Sequence, residues 1–521
     1  MDVSRWISDA AARTPAKTAI RFESRELTYG ELEGRVGALA GVLERVGVVA
    51  GDRVAYLGPN CTELLEALFA CARLGAIFVP LNARMPAAEL RVFVGQATPG
   101  VLLAEESFSQ TAGECTAGLQ VPILPFSKGI SWDSPPISPR SHTGVSSPVL
   151  IAFTSGTTGM AKGAVLTHEA LIANAAATVD VLRVTASDEV LTFTPMFHVA
   201  GLNLLTTPAL SIGAMVTVHR QFNPSAVLAE LARGTVSLLV SPPHLTFELV
   251  AHPAWEHADL GSLRCVMTGG TTVPSRALDC WAGRGVAVVQ SYGQTETGGS
   301  VTLVPLEEAP AKSATAGRPM PQCEVRVVDV SGHTVPPGHR GQIIVRSPSV
   351  MQEYWHNPQA TGEVIHHGWL RTGDLGFLDT DGYLHVVDRI KEVIIVGISN
   401  VAPADLESVL ADSPDIAAAA VVGRPDDVLG EVPVAFVVRT AGSHLSAGEV
   451  LALFDGQVAP YKRPRDVIFL DNMPQTSVGK PEKKTLRALA AGQQHQKRPC
   501  RQRLPVIQAP ASGGQPGTPF A

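Results

Sequence analysis

The stretch TSGTTGMAKG, residues 154–163, has a composition suited to holding a phosphate group. It contains three glycines, four hydroxyl side chains and one lysine. Glycine allows several backbone N–H groups to approach one anion, while the hydroxyls add donors and the lysine adds positive charge. Apolar runs at residues 149–154 and 163–168 flank the stretch and predict a strand on each side, which is unusual for a flexible linker. We therefore predict a phosphate-binding loop between two strands.

The two common phosphate-loop patterns do not fit this stretch. A Walker A loop requires GxxxxGK followed by Ser or Thr, but Ala161 stands five residues after Gly156, and Gly163 follows Lys162. No GxGxxG opens a helix after the first predicted strand, so a dinucleotide-binding fold is not supported either. The loop must belong to another class of nucleotide chemistry.

A second polar stretch, SYGQTETGG at residues 291–299, follows the apolar run VAVVQ. It should therefore lie at the carboxyl end of a strand, where open α/β sheets bind ligands. Tyr292 offers a flat face for a base, Thr295 offers a donor, and Glu296 offers the hard oxygen that Mg²⁺ prefers. A polar surface loop is the alternative interpretation.

Two later stretches supply further candidates. Asp374 in RTGDLG could accept both hydroxyls of a ribose, or could simply be a turn residue. Asp381-Gly382 is better explained as a hairpin turn than as a calcium loop, because the later calcium ligands are missing. Lys480 follows Gly479 in a predicted loop ahead of a basic helix. By itself it is an ordinary lysine, and it becomes a candidate functional residue only in combination with the other stretches.

Short β-branched runs alternate with amphipathic stretches through the first three-quarters of the chain. This alternation predicts an α/β fold with mainly parallel sheets, and 521 residues are enough for two or more domains. Residues 311–388 change to strands punctuated by Gly and Pro, typical of a small β-rich subdomain. We predict an N-terminal domain over 1–388, a small α+β domain over 389–490, and a disordered tail over 491–521, which is rich in Gln, Pro and Gly.

Composition narrows the functional class. A net charge of −7 argues against a nucleic-acid surface. Seven cysteines without a CxxC pair predict a reducing, cytoplasmic location. The first 20 residues lack the apolar segment of a signal peptide. The apolar run at 64–81 carries Glu66 and Arg73, so we predict a helix leading into a strand and no transmembrane segment.

Five motifs, FTSGTTGMAKG, SYGQTETGG, RTGDLG, DRIKEVI and PQTSVGK, occur in this order. Together they resemble the adenylate-forming superfamily of acyl-CoA synthetases, luciferases and peptide-synthetase adenylation domains, over roughly residues 10–490. The resemblance implies that a carboxylate attacks the α-phosphate of ATP, giving acyl-AMP and pyrophosphate, before coenzyme A takes the acyl group. It also implies Mg²⁺ as a cofactor and a mobile C-terminal domain that swings between the two steps.

The resemblance further implies a role for each candidate residue. Lys480 would reach the carboxylate and the α-phosphate, Thr295 would contact phosphate, Glu296 would hold the metal, and His198 would lie near the substrate carboxylate unless it is a core histidine. The positions assigned to ATP or AMP are Thr154, Ser155, Gly156, Thr157, Thr158, Gly159, Lys162, Gly269, Gly270, Thr271, Tyr292, Gly293, Gln294, Asp374 and Arg389. The positions assigned to the hinge and the coenzyme A path are Lys391, Glu392, Gly397 and Ile398.

Two positions bear on the acid. Amino-acid-activating relatives carry an Asp after the residue equivalent to Phe197, and this chain has His198 there, which argues against a substrate with an ammonium group. Short-chain relatives place a Trp where this chain has Gly293. We therefore predict a medium, long or bulky hydrophobic carboxylic acid.

The moving segment departs from the family pattern in two places. Ile398 stands where a second glycine is common, and Glu392 stands where the pivot Asp is usual. An enzyme that performs only one half-reaction, either releasing acyl-AMP or accepting it from a partner ligase in trans for transfer to coenzyme A, therefore remains an alternative to a complete ligase. A loader of a carrier protein acting in trans and a catalytically silent nucleotide-binding scaffold are further alternatives.

Overall fold

The computed structural model describes residues 2–126, 136–139, 144–154, 161–269, 275–396, 399–426, 429–476 and 479–492. Its strands, in chain order, are β1 Thr18–Phe22, β2 Arg25–Thr28, β3 Arg53–Leu57, β4 Ile77–Leu81, β5 Val101–Ala104, β6 Ile123–Pro125, β7 Pro148–Thr154, β8 Lys162–Thr167, β9 Glu189–Thr192, β10 Met215–Val218, β11 Leu238–Val240, β12 Cys265–Gly269, β13 Ala287–Gln294, β14 Gly299–Leu303, β15 Arg318–Pro319, β16 Glu324–Val328, β17 Gly341–Arg346, β18 Glu353–Tyr354, β19 Ile365–His366, β20 Trp369–Leu378, β21 Leu384–Arg389, β22 Ile394–Val396, β23 Ser399–Val401, β24 Ile416–Asp426, β25 Gly430–Arg439 and β26 Asp466–Phe469.

The α-helices are α1 Trp6–Arg13, α2 Tyr29–Arg45, α3 Thr62–Leu74, α4 Ala87–Ala97, α5 Ser109–Thr116, α6 His168–Leu182, α7 Val199–Asn203, α8 Thr206–Ile212, α9 Pro224–Leu231, α10 Pro243–Ala251, α11 Ser275–Ala282, α12 Ala309–Lys312, α13 Pro358–Val364, α14 Pro403–Ala411, α15 Ala447–Ala452 and α16 Lys483–Gly492. Short 3₁₀ turns include Thr295–Thr297 and Ile390–Glu392. Among these described helices, none is long and apolar enough to cross a membrane.

Two large sheets form the body of the N-terminal part. One has the order β15-β14-β13-β12-β11-β9-β10-β1-β2 and the other the order β18-β8-β7-β4-β3-β5-β6. Their central strands are parallel, and the edges carry antiparallel pairs such as β7 with β8 and β13 with β14. Every residue of β4 and β5 is buried, as expected where helices cover both faces of a parallel sheet.

Local signals in the sequence explain how the covering helices begin and end. Thr28 and Glu31 form a reciprocal capping box at the start of α2. The helix α3 ends at Gly75, whose φ of +70° is the left-handed conformation that glycine adopts without strain. Both helices contribute to the main apolar core, which joins the two large sheets.

Two smaller sheets complete the described fold. An antiparallel sheet joins β16, β17, β20, β19 and β21, and the C-terminal part builds its own sheet in the order β23-β22-β25-β24 with β26 beside β25. Helix α14 lies against β24, and the C-terminal sheet has a separate apolar core. The predicted α/β class, with a large N-terminal domain, a small β subdomain and a small α+β C-terminal domain, is therefore confirmed.

The predicted hairpin at Asp381-Gly382 is also present. β20 and β21 pair antiparallel, and Gly382 has a φ of +82° at the turn between them. The predicted disordered tail over 491–521 begins too early, because Ala491 and Gly492 belong to α16. Residues 493–521 lie outside the described residues, so their predicted disorder stays a prediction.

Candidate active site

The strands on each side of the predicted phosphate loop form an antiparallel pair. Thr154, the last residue of β7, pairs with Lys162, the first residue of β8, and the Thr154 hydroxyl donates to the Lys162 carbonyl at 3.4 Å. The two strands therefore hold both ends of the loop together. Five predicted phosphate-binding residues, Ser155, Gly156, Thr157, Thr158 and Gly159, lie outside the described residues, as do Gly270, Thr271, Gly397 and Ile398.

Asp374 is the centre of a buried polar cluster at the carboxyl end of β13. Its Oδ2 accepts hydrogen bonds of 2.6 Å from the Tyr292 hydroxyl and of 2.6 Å from the Gln294 amide nitrogen. Its Oδ1 lies 2.6 Å from the Nε of Arg389. The side chains come from β13, β20 and β21, and the structure therefore brings four predicted nucleotide-binding residues together.

Electrostatics fix the protonation states in this cluster. Burial and the neighbouring Asp374 carboxylate raise the pKa of Tyr292 well above its usual value, so its hydroxyl stays a donor. Burial alone would lower the pKa of Arg389. The negative charge of Asp374 and of other nearby acidic groups outweighs burial and raises that pKa. The cluster thus presents a permanent cation beside a carboxylate.

Glu296 lies in the 3₁₀ turn that follows β13, and Tyr354 of β18 fixes its carboxylate. The Tyr354 hydroxyl donates to Oε1 of Glu296 at 2.7 Å, and the Glu296 carbonyl accepts from the Met351 N–H at 2.8 Å. The Nζ of Lys162 stands 5.1 Å from the centre of the Tyr354 ring, within cation–π range. Tyr354 therefore connects the predicted metal ligand with the predicted phosphate-binding lysine.

The donor set at Glu296 fits Mg²⁺ held jointly with a nucleotide. Within the described part of the chain, no group of three His, Cys, Asp or Glu residues could hold a metal alone. Mg²⁺ is commonly bound by one or two carboxylates together with substrate phosphates and water. Glu296, whose carboxylate is oriented by Tyr354, would hold the ion together with the phosphates.

Lys480 lies near enough to His198 for its charge to act on the imidazole, although the two come from different parts of the chain. The Nδ1 of His198 accepts the Ala200 N–H at 3.1 Å at the start of α7. Burial lowers the pKa of His198 to about 4, and the charge of Lys480 adds to this effect. A neutral ring whose Nδ1 is an acceptor carries its proton on Nε2, which is then a donor suited to a carboxylate.

Lys480 reaches the cluster from the loop that follows β26. Surrounding protein atoms lower the pKa of Lys480 and the positive charge of Arg389 adds to the decrease, while Asp374 and Glu392 oppose it. The C-terminal part thus places an ammonium group among residues of the N-terminal part. A positive charge at this position is the kind of group that can stabilise negative charge developing on a phosphate.

Two glycines of the site are fixed by backbone contacts. A Cβ on Gly269 would lie 2.3 Å from the Ser291 carbonyl oxygen, and a Cβ on Gly293 would lie 2.0 Å from the Gly299 carbonyl oxygen. Side chains cannot approach so closely, so both positions require glycine. The close backbone contact therefore explains the glycine at position 293 whatever acid is bound. The absence of a side chain at Gly293 no longer supports the prediction of a bulky acid.

Ion pairs surround the predicted hinge. Arg389 is bound to Asp374 in the N-terminal part, whereas Glu392 lies 3.0 Å from the Nζ of Lys483 in α16. Ile390 and Lys391 stand between these two anchors in a single 3₁₀ turn. The predicted hinge residues Lys391 and Glu392 thus lie in a short turn between an ion pair to the N-terminal part and an ion pair within the C-terminal part.

Comparison with known proteins identifies the class. Residues 7–355 match the AMP-binding enzyme family, and residues 405–480 match the AMP-binding enzyme C-terminal domain. The chain belongs to the AMP-binding enzyme family, the adenylate-forming superfamily that the five motifs resemble.

Relatives then define the reaction type. The chain is 44% identical to the indoleacetate–CoA ligase of Aromatoleum aromaticum, over 94% of this chain and 98% of that protein. It is 41% identical to a feruloyl-CoA synthase of an Amycolatopsis species, over 91% and 96%. The o-succinylbenzoate CoA synthetase of Bacillus subtilis, solved with its acyl-adenylate intermediate, has a TM-score of 0.86 at 30% identity, over 93% and 98%. The chain is an ATP-dependent carboxylic acid–CoA ligase that uses coenzyme A as co-substrate.

Sequence reasoning missed two side chains of the site. Tyr354, in the stretch EYW, was not identified. Its contact with Glu296 depends on the pairing of β18 with β8, which a local sequence pattern does not reveal. His244 was not identified either, because its contact with Gly479 joins residues more than 200 positions apart in the sequence.

Proposed function

We propose that this ligase activates an aryl-substituted carboxylic acid, with the ring joined to the carboxylate by a short carbon spacer. This narrows the predicted set of medium, long or bulky hydrophobic acids to its aromatic members. Indoleacetate and ferulate, the acids in the names of the two relatives described above, share this chemistry. The acid itself is a proposal for this chain.

The observation that carries the proposal is an exposed aromatic side chain on the helix that contacts the neighbour of Lys480. Phe247 on α10 is 39% exposed, so its ring is accessible to a ligand. His244 precedes it by three positions, so both side chains lie on one face of the helix. His244 contacts Gly479, the neighbour of Lys480. Phe247 is therefore placed to stack on the ring of an acid whose carboxylate reaches Lys480.

In the first half-reaction, we assign the chain's residues by their charges and positions. A carboxylate oxygen of the acid forms a bond to the α-phosphorus of ATP, and the bond from that phosphorus to pyrophosphate breaks. The Nε2–H of His198 holds the carboxylate, and the ammonium of Lys480 neutralises charge on the α-phosphate. Lys162 binds the leaving phosphates, and Asp374 accepts the ribose hydroxyls.

Mg²⁺, bound by Glu296 and the phosphates, would supply further positive charge to the pyrophosphate as it leaves. Thr295 is buried at the end of β13 and contributes a phosphate contact. Tyr354 keeps the Glu296 carboxylate in one orientation, as shown by the 2.7 Å hydrogen bond.

In the second half-reaction, we assign residues 389–490 as the moving domain. Rotation within the turn at Ile390–Glu392 would remove Lys480 and admit the thiol of coenzyme A, which takes the acyl group and releases AMP. A carrier-protein thiol is the alternative acceptor, and that partner remains a proposal.

The six cysteines in the described residues are free thiols, which supports the expected reducing cytoplasm.

The test is a substrate panel read by mass spectrometry. Indole-3-acetate, phenylacetate, ferulate and octanoate are each incubated with ATP, Mg²⁺ and coenzyme A, and the same acids are supplied as synthetic acyl-adenylates with coenzyme A alone. We expect kcat/KM for the aromatic acids to exceed that for octanoate by at least about tenfold, equivalent to about 1.4 kcal/mol. A preference for octanoate would contradict the proposal, and products from adenylates alone would favour the one-half-reaction alternative.

A matched variant separates ring recognition from catalysis. Phe247→Ala should raise KM for the preferred aromatic acid about tenfold with little change in kcat, because a stacked aromatic pair contributes about 1 kcal/mol beyond its buried area. KM for octanoate should change less. If Phe247→Ala leaves KM for aromatic acids unchanged, Phe247 does not contact the ring.

A further inference from the structure

The loop that carries Lys480 touches a histidine of the N-terminal part. Gly479 has a φ of +80°, and a Cβ built on it would lie 2.6 Å from both Cε1 and Nε2 of His244. Contacts of that length do not occur, so the imidazole occupies the space directly against the Gly479 backbone. The contact lies one residue from the lysine whose charge acts on His198.

The backbone around Gly479 and Lys480 is a small, internally bonded unit. The Thr476 N–H donates to the Lys480 carbonyl at 2.7 Å, and the Gly479 N–H donates to the Thr476 carbonyl at 2.9 Å. The Thr476 hydroxyl accepts the Lys480 N–H at 3.2 Å. We call Thr476, Gly479 and Lys480 the lysine loop. Because these bonds join its residues, a shift at Gly479 also moves the Lys480 backbone.

The backbone that carries His244 is well fixed on the opposite side of the contact. His244 is the second residue of α10, and Pro242 and Pro243 fix the backbone where the helix begins. The Thr246 hydroxyl donates to the Pro242 carbonyl at 3.0 Å, and Leu249 is fully buried in an apolar cluster. Surrounding protein atoms lower the pKa of His244, and the charge of Arg84 adds to the decrease. A neutral ring does not repel the nearby Lys480 ammonium.

We propose that His244 is a positioning residue for the adenylation half-reaction. Its ring is the surface on which the lysine loop docks, and docking places the Lys480 ammonium opposite His198. The inference rests on the proposed two-step function. When the C-terminal domain rotates for thiol transfer, Gly479 leaves this ring. His244 therefore assists the first step and has no such contact in the second.

The first test compares the two half-reactions in His244→Ala. Pyrophosphate release from acid and ATP should fall about tenfold, while thioester formation from supplied acyl-adenylate and coenzyme A should be unchanged. His244→Phe keeps a flat ring and should retain most of the adenylation rate. His257→Ala, which removes an exposed histidine beyond α10, is the matched control and should alter neither step. Equal losses in both steps would overturn the proposal.

A double-mutant cycle tests the contact itself. Gly479→Ala introduces the Cβ that would collide with His244, so adenylation should fall more than the strain of a positive φ alone explains. In the His244→Ala background the ring is absent, and Gly479→Ala should then cost less than it does in the wild type. Purely additive effects would show that the two residues do not act through each other.

A third readout does not depend on finding the right acid. Hydrogen exchange at the Gly479 and Lys480 amides, measured by mass spectrometry, should be about tenfold faster in His244→Ala than in the wild type, because the loop loses its docking surface. Unchanged exchange would contradict docking. Faster exchange in a protein that releases no pyrophosphate with any acid of the panel would support the contact while contradicting the proposed substrate.

Discussion

Asp374 is a buried carboxylate that already holds three partners before any nucleotide binds. It accepts from Tyr292 and Gln294 and pairs with Arg389. Because the orientation of this carboxylate is set in advance, it would lose little conformational entropy when ribose hydroxyls replace or share these donors. The charge on Asp374, more than its shape, should therefore determine nucleotide affinity.

Asp374→Asn should weaken AMP binding about 10- to 100-fold, because hydrogen bonds to a charged group contribute about 1.5–3 kcal/mol. Isothermal titration calorimetry with AMP measures this without Mg²⁺ or an acid. Asp381→Asn, at the exposed hairpin where Asp381 pairs with Lys312, is the control and should leave the Kd unchanged. An unaltered Kd in Asp374→Asn would remove this residue from the ribose site.

Residues of the site could be predicted only where they belong to a contiguous sequence motif. Asp374 and Lys480 stand in short stretches with recognisable partners. Tyr354 could not be found this way, because its role arises from the register of β18 on β8, which places it opposite Ala164 and near Lys162. His244 depends on a contact between two domains, and no local pattern encodes that contact.

At the scale of elements, α16 is joined to the hinge through Lys483. Its ammonium lies 3.0 Å from Glu392 and 3.1 Å from Glu407 of α14. Burial alone would lower the pKa of Lys483, but the two glutamates and Asp388 outweigh it and raise that pKa. These ion pairs tie Glu392 to α14 and α16, so in the proposed rotation Glu392 would move with the C-terminal part.

Lys483→Ala should lower the free energy of unfolding by about 3 kcal/mol, because it leaves several partly buried carboxylates without their cation. Urea unfolding followed by circular dichroism measures the change. Lys484→Ala, the exposed neighbour in α16, should change stability by less than about 0.5 kcal/mol. Similar values for the two variants would show that Lys483 does not join the hinge to α14.

Elements were predicted well where burial determines the pattern. The continuous apolar runs at β4 and β7 follow from helices covering both faces of a parallel sheet. The order of strands in the sheets was not predictable, because β9 lies between β10 and β11 through crossovers that leave no trace in a local window. The positions of the functional loops depend on that order, which is why motif spacing alone did not give the geometry of the site.

For the whole molecule, we propose that the arrangement of the two parts serves one step of the reaction. The loop after β26 brings Lys480 near His198, and the charge of Lys480 contributes to lowering the pKa of that histidine. In this proposal the lysine serves the chemistry only while the C-terminal part stays in this position. Removing it should separate the two half-reactions more sharply than any change within the N-terminal part.

Lys480→Ala should slow pyrophosphate release at least about 100-fold, the usual cost of removing one group that stabilises a charged transition state. Coenzyme A transfer from supplied acyl-adenylate should continue at the wild-type rate, because rotation at Ile390–Glu392 would carry this residue away before the thiol arrives. Quench-flow measurement of each step separates them, with Lys484→Ala as the charge-matched control. If both steps fall together, Lys480 supports the fold or the thiol site, and the arrangement described here does not represent a state used only for adenylation.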